Sequence, residues 1–177
     1  MLLLLLALAP LQAAPESDVP YSGSGTLQLG TQTLRLEQQH IRLASGEVLV
    51  EGLYGPPVSD GQTLCAADET ATGLGRLRCW DRSLHATTLA SGGRPGRLAL
   101  GGSWVAWVAS PQGLPQVFVA PVNGTQAARA LTNVDLDYTP GQAPVGFVAP
   151  PMRQSLRFDG DYLRWESAEG PKVVRWR

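Results

Sequence analysis

The sequence predicts an all-β protein, and three observations carry that expectation. Gly and Pro are abundant, at 20 and 14 of 177 residues, which suits many short strands joined by tight turns. Apolar residues recur at every second position over long stretches, and no good 3.6-residue period emerges. Asn123-Gly124 separates two strand-like runs, the strongest short-range hairpin signal a sequence offers. The length is enough for one domain with a sizeable core. Charged residues make up only 16% of the chain, its formal net charge is −1, and Lys and Arg form no run, so a nucleic-acid surface is not expected.

Residues 1–14 read as an export signal. Leu2 to Ala9 forms its apolar core, and Leu11-Gln12-Ala13-Ala14 supplies small residues for cleavage. Pro10 interrupts the apolar run, which is too short for a comfortable membrane span, and no Cys follows it to carry a lipid. An uncleaved anchor is the alternative. Export implies a periplasmic or secreted protein, where the only two cysteines, Cys65 and Cys79, would be oxidised to a disulfide. A loop of that size is worth roughly 3 kcal/mol in the chain-entropy picture. The rival readings are a zinc site, for which His40 and His85 lack the spacing, and a reactive thiol beside Arg76 and Arg78.

From Pro15 to Gly25 the chain is a polar, extended lead-in, and residues 26–177 form a single β domain. Thr26 to Leu29 and Thr31 to Leu36 place Leu27, Leu29, Leu34 and Leu36 at strand period. Ile41 and Leu43 continue the pattern, Ser45-Gly46 turns, and Glu47 to Glu51 is the next strand. Tyr54 to Gly61 reads as loop, Gln62 to Ala67 as a strand holding Cys65, Asp68 to Gly75 as turn, and Arg76 to Trp80 as a strand holding Cys79. A disulfide between neighbouring strands of this hairpin fits the spacing. Arg82 to Leu89 is another strand candidate, and Ser91 to Gly96 a break. Trp104 to Ala109 is apolar on both faces, as a strand buried inside a protein would be. Gln116 to Val122 follows a turn, and a more polar strand ends at Ala130-Leu131-Thr132-Asn133. After a loop from Val134 to Ala143 come strands at Val145 to Ala149, Ser155 to Phe158, Asp161 to Glu166 and Lys172 to Trp176.

The units so defined end near Ala90, Asn133 and Arg177, a period of about 40 residues that suits propeller blades. Three to four blade-like units are therefore expected, in a small or incomplete β-propeller. Closure would pair the C-terminal strand near Leu27 to Leu36. A β-sandwich of the same strands is the alternative.

The stretch Leu98 to Asn133, LALGGSWVAWVASPQGLPQVFVAPVNGTQAARALTN, runs as a small-residue turn, an apolar strand, a turn, the strand QVFVAPVNG, and a strand closing on ARALTN. It resembles the blade repeat of TolB-type, WD40-like β-propellers of the bacterial cell envelope. Where that repeat opens with Ser-Pro-Asp-Gly, this chain has Leu100-Gly101-Gly102-Ser103. The resemblance covers one blade closely and others loosely. It implies a propeller fold and a non-catalytic role docking an envelope or extracellular protein partner.

Loops carry function in such folds, which makes the loop-tip residues Tyr54, Arg94, Asp135, Asp137, Tyr138 and Arg153 the candidate binding set. Asp135 and Asp137 lie on one side of an extended segment and, with Asn133, offer oxygens to calcium. Two acids without further fixed ligands read more simply as a solvated loop, so no metal and no cofactor is expected. Asp159 and Asp161 flank Gly160 as hairpin-turn residues, and Asn123-Gly124-Thr125 matches a glycosylation sequon where turn chemistry suffices. A glycosidase needs two carboxylates converging on one bond, and spacing pairs none of Glu37, Glu47, Glu51, Glu69 and Glu166. A Ser hydrolase would recruit His40 or His85, both in strand-like segments, and no nucleophile elbow is present. The five Trp, at 80, 104, 107, 165 and 176, read first as core. The competing reading, with Trp104 and Trp107 on opposite faces of one strand, sends one of them to a groove and joins the aromatics with Arg76, Arg78, Arg164 and Arg175 in a binding patch of hot-spot composition. Two other functions compete with a binding module: a β-scaffold enzyme acting on envelope glycans, and an accessory subunit that binds by β-strand addition.

Overall fold

A computed structural model of the protein describes residues 20–92, 95–110, 115–132, 155–167 and 170–177, and these contain strands and no helix. The strands form four antiparallel sheets in chain order. The first holds β1 (Ser24–Leu29), β2 (Gln32–Glu37), β3 (His40–Arg42) and β4 (Val48–Glu51). The second holds β5 (Val58–Ser59), β6 (Leu64–Glu69), β7 (Gly75–Trp80) and β8 (Ala86–Ser91). The third holds β9 (Gly96–Gly101), β10 (Trp104–Ala109), β11 (Gln116–Pro121) and β12 (Arg129–Ala130). The fourth holds β13 (Arg157–Asp159), β14 (Tyr162–Ser167) and β15 (Gly170–Arg175). Within each sheet consecutive strands are neighbours, so every sheet is an up-and-down meander.

The first strands of the sheets gather at a common hub: β1 touches β5, β5 touches β9, and β9 touches β13. A parallel bridge joins Leu29 to Gly61, and around it Gly30 N donates to Gly61 O at 2.7 Å and Ser59 Oγ to Gln28 O at 2.6 Å. Sheets that share a hub and fan outward are propeller-like, as the residue period predicts. The sandwich alternative falls because the core is divided among the sheet interfaces, not laid down between two sheets.

Each interface has its own apolar cluster and its own buried tryptophan. Between the first and second sheets, Leu34, Leu36, Ile41 and Val50 meet Leu64, Ala66 and Trp80. Between the second and third, Cys65, Leu77 and Cys79 meet Val105 and Trp107, whose ring stacks on Phe118 at 5.6 Å. Between the third and fourth, Ala106, Val117 and Val119 meet Leu163, Trp165 and Trp176. Trp104 and Trp107 do face opposite ways, but neither is left for a groove: Trp104 packs against Trp176, centroids 5.0 Å apart. Trp176 also donates from Nε1 to Gly160 O at 3.0 Å, which satisfies its one polar atom.

Some expectations change. The C-terminal strand does not pair near Leu27 to Leu36: β15 pairs only with β14 among the described strands, on the side of its sheet away from β13. Both edges of β2 are taken by β1 and β3, so it has no edge to offer. The hub strands β5 and β9 fall where the sequence reads loop or break, because β5 is two residues long after Pro56-Pro57 and β9 begins and ends in Gly. His85 lies in a turn and not a strand, its backbone N held by Asp81 Oδ1 at 3.1 Å. The expected strand from Val145 to Ala149, and residues 1–19, lie outside the described residues.

Cys65 and Cys79 are bonded, directly opposite one another in the β6–β7 ladder with Cα atoms 4.1 Å apart. Both are buried, so the cross-link ties the two central strands of the second sheet beneath the third. Replacing both by Ala should lower unfolding stability by about 3 kcal/mol, read from the urea midpoint. Reductant should lower the midpoint of the native protein and leave that of the double variant unchanged.

Candidate functional site

A four-stranded meander returns its last strand to the side where its first began, so each of the first three sheets ends, and the next begins, on one rim. Tyr21 N donates to Leu53 O at 2.9 Å and Tyr54 N to Ala67 O at 3.2 Å, which ties the lead-in, the β4–β5 connection and the end of β6 together there. The opposite rim is closed by tight turns such as Gly102 and Gly160, whose φ of +58° suits a residue without Cβ.

On the connection rim, an open cleft of about 660 Å³ separates the edge of the first sheet from the second. Gln39, His40, Leu49 and Glu51 form one wall, and Arg76 and Arg78 the other. Beneath the arginines lies Asp68, fully buried. Arg76 grips it with both prongs, Nε to Oδ1 at 2.7 Å and Nη2 to Oδ2 at 3.1 Å, and Arg78 Nη2 donates to the same Oδ2. The ladder dictates this: Asp68 lies directly opposite Arg76, while Arg78 lies opposite Ala66, whose small side chain leaves room for it to lean across. The Arg78 guanidinium also lies over Trp80, 4.6 Å from the ring centroid.

A carboxylate buried this far is tolerable only when paired and hydrogen-bonded. The hydrogen bond to Asp68, helped by its charge and opposed by burial, raises the Arg76 guanidinium above its ordinary value. A folded-state value raised in this way contributes stability that is lost only as pH climbs through it, so Arg76 stays charged throughout the usable pH range. Two guanidiniums over one carboxylate leave the floor with net positive charge, held in fixed orientation. Both prongs of Arg76 are committed to Asp68, and Glu51 and Glu69 line the same cleft, so the arginines face the opening among acids of their own surroundings. On the wall, His40 Nε2 and Glu51 Oε1 are 3.8 Å apart and near solvent. Among the described residues no group of three His, Cys, Asp or Glu side chains is placed to hold a metal ion.

Of the residues expected at loop tips, Tyr54 is on this rim but is only 5% exposed. The β4–β5 connection folds back over the end of β6 and takes Leu53 and Tyr54 inward with it. Arg94, Asp135, Asp137, Tyr138 and Arg153 lie outside the described residues, as does the calcium reading of Asp135 and Asp137. The strands flanking their segments, β8 and β9, β12 and β13, end or begin on this rim. The sequence offers Arg76 and Arg78 as part of an aromatic patch, but not Asp68 as the buried acid that both of them hold. The available signal was an acid opposite alternating arginines across a hairpin whose register the cysteines fix. Asp159 and Asp161 do serve the hairpin, pairing with Arg164 and Arg177, and Asn123 Oδ1 closes its own turn by accepting from Thr125 N and Oγ1.

The fold defines an all-β, propeller-like protein. No family model matches the chain, and no curated protein matches it in sequence. Among solved structures it is similar at 15% identity to a chain of a nidogen/laminin complex, with a TM-score of 0.48 over 78% of this chain and 52% of that one. A putative TolB from Agrobacterium tumefaciens is also 15% identical, with a TM-score of 0.41 over 86% and 60%. A protein of unknown function from Bacteroides thetaiotaomicron is 15% identical as well, with a TM-score of 0.43 over 88% and 47%. The chain thus spans 47–60% of the length of these three structures.

Changing Arg76 and Arg78 together to Leu strands the Asp68 carboxylate and should cost about 3–5 kcal/mol in urea unfolding. Adding Asp68→Leu to that pair should recover most of the loss, because an apolar trio needs no partner.

Proposed function

We propose that the protein is a non-catalytic, extracytoplasmic binding module that docks an envelope protein through its connection rim. The observation that carries this reading is the preorganised arginine floor on the rim where one sheet ends and the next begins. Exposed apolar groups flank it: Val48, 40% exposed, lines the cleft, and Leu74, 57% exposed, tips the β6–β7 turn beside it. Oriented arginine next to exposed apolar side chains is the composition of interface hot spots. The buried disulfide supports an oxidising compartment, in keeping with the N-terminal sequence. The TolB-type resemblance of Leu98 to Asn133 supports an envelope location. The loop residues Arg94, Asp135, Asp137, Tyr138 and Arg153 extend the same surface in this proposal.

The full chain, used as bait on cross-linked envelope extract, should capture one partner in near-equal amounts. Leu74→Asp, and Tyr138→Ala combined with Arg153→Ala, should each abolish capture, whereas Thr125→Ala on the opposite rim should not. Capture that ignores both rim changes, or no capture at all, contradicts the proposal.

A further inference from the structure

The turn after β11 carries a chemistry that docking leaves unused. The chain has two asparagines, and only Asn123 is followed by glycine; Asn133 precedes the β-branched Val134. Asn123, Gly124 and Thr125 are all exposed. Asn123 Oδ1 accepts from Thr125 Oγ1 at 2.8 Å and from Thr125 N at 3.2 Å. Two donors on one amide oxygen draw electrons from Cγ. They also sit where negative charge gathers when that carbon is attacked. The nucleophile within reach is the next residue's backbone nitrogen. Gly124 has no Cβ to crowd its approach. Its N–H, donated to Pro121 O at 3.0 Å, lies in an exposed turn open to hydroxide.

We infer that Asn123 is a site of self-modification, converting to aspartate and isoaspartate with Thr125 assisting. Hydroxide takes the Gly124 N proton, and that nitrogen bonds to Asn123 Cγ while the carbonyl electron pair moves onto Oδ1, between the two Thr125 donors. Collapse of the adduct breaks the Cγ–Nδ2 bond, and Nδ2 leaves as ammonia with a proton from water. The cyclic imide that remains joins Gly124 N to both carbonyl carbons of residue 123. Water opens it at Cγ to give aspartate, or at the main-chain carbonyl to give isoaspartate, which lengthens the main chain by one carbon. The longer product matters because this turn is seated closely on the second sheet. A Cβ on Gly124 would lie 2.8 Å from Thr87 Cγ2 and 3.8 Å from Leu89 Cδ2. A lengthened main chain does not fit that seat, so conversion loosens the turn from β8 and adds a carboxylate. None of this depends on the cleft or on a partner.

Incubating the full chain at mildly alkaline pH, followed by peptide mass spectrometry, tests the inference. Asn123 should exchange its amide NH2 for OH while Asn133 stays intact, and electron-transfer fragmentation should show isoaspartate at position 123. Thr125→Val should slow the conversion about fivefold, the worth of one hydrogen bond, and Thr125→Ser should restore it. The isoaspartate form should unfold at a lower urea concentration than Asn123→Asp, which has the carboxylate without the added carbon. A capped Pro-Val-Asn-Gly-Thr-Gln peptide, incubated alongside, shows that the medium supports the reaction. Three results overturn the inference: the peptide converts while Asn123 in the folded chain does not; Thr125→Val converts as fast as the native chain or faster; or the isoaspartate form and Asn123→Asp unfold at the same urea concentration.

Discussion

The structure depends on one kind of contact, a buried tryptophan wedged between each pair of adjacent sheets. Trp80 fills the gap to the first sheet, Trp107 the gap between the second and third, and Trp165 the gap between the third and fourth, each at most 2% exposed. Face-packed sheets lie about 10 Å apart, a distance that small side chains do not fill. An aromatic ring does, and burying one is worth roughly 4–6 kcal/mol as an upper bound. None of these sheets, with three or four short strands, has a core of its own. The first hides its Leu and Ile only by lying on Leu64, Ala66 and Trp80, and the hub contacts among first strands follow once the faces are packed.

That constraint also explains the arginine floor. The second sheet is covered on both faces, so β6 has no solvent side over Leu64 to Asp68. Alternation then places Cys65 and Ala67 toward the third sheet and Leu64, Ala66 and Asp68 toward the first. An acid on a covered face must be answered from the neighbouring strand, and β7 does so twice. The cleft is where the first sheet, ending at β4, stops short of covering those arginines completely. The structural ion cluster and the proposed docking surface are therefore the same residues.

What the sequence shows depends on how each strand is buried. β2, β10, β11 and β14 are legible because one or both faces are apolar at strand period, and β10 is covered on both sides as its WVAWVA run suggests. The disulfide is legible because two cysteines, 14 positions apart, flank one hairpin. The hub strands β5 and β9 are not, since hub contacts involve short, Gly- or Pro-flanked backbone with little side-chain pattern to read. Asp68 is illegible as a core residue because an acid before a turn looks like turn chemistry, and only the register with Arg76 reveals its role. Tyr54 is read outward for the same reason: nothing local says that its loop folds inward.

The interdependence of the sheets is tested most directly by Trp107→Ala, read by amide exchange at Leu34 and Leu36 in β2, two sheets away. If the sheets stand or fall together, global stability drops by about 3–5 kcal/mol and the protection of those two amides falls by the same amount. If Leu34 and Leu36 keep their full protection while the third and fourth sheets open, the sheets are independent units and the account of their packing is wrong.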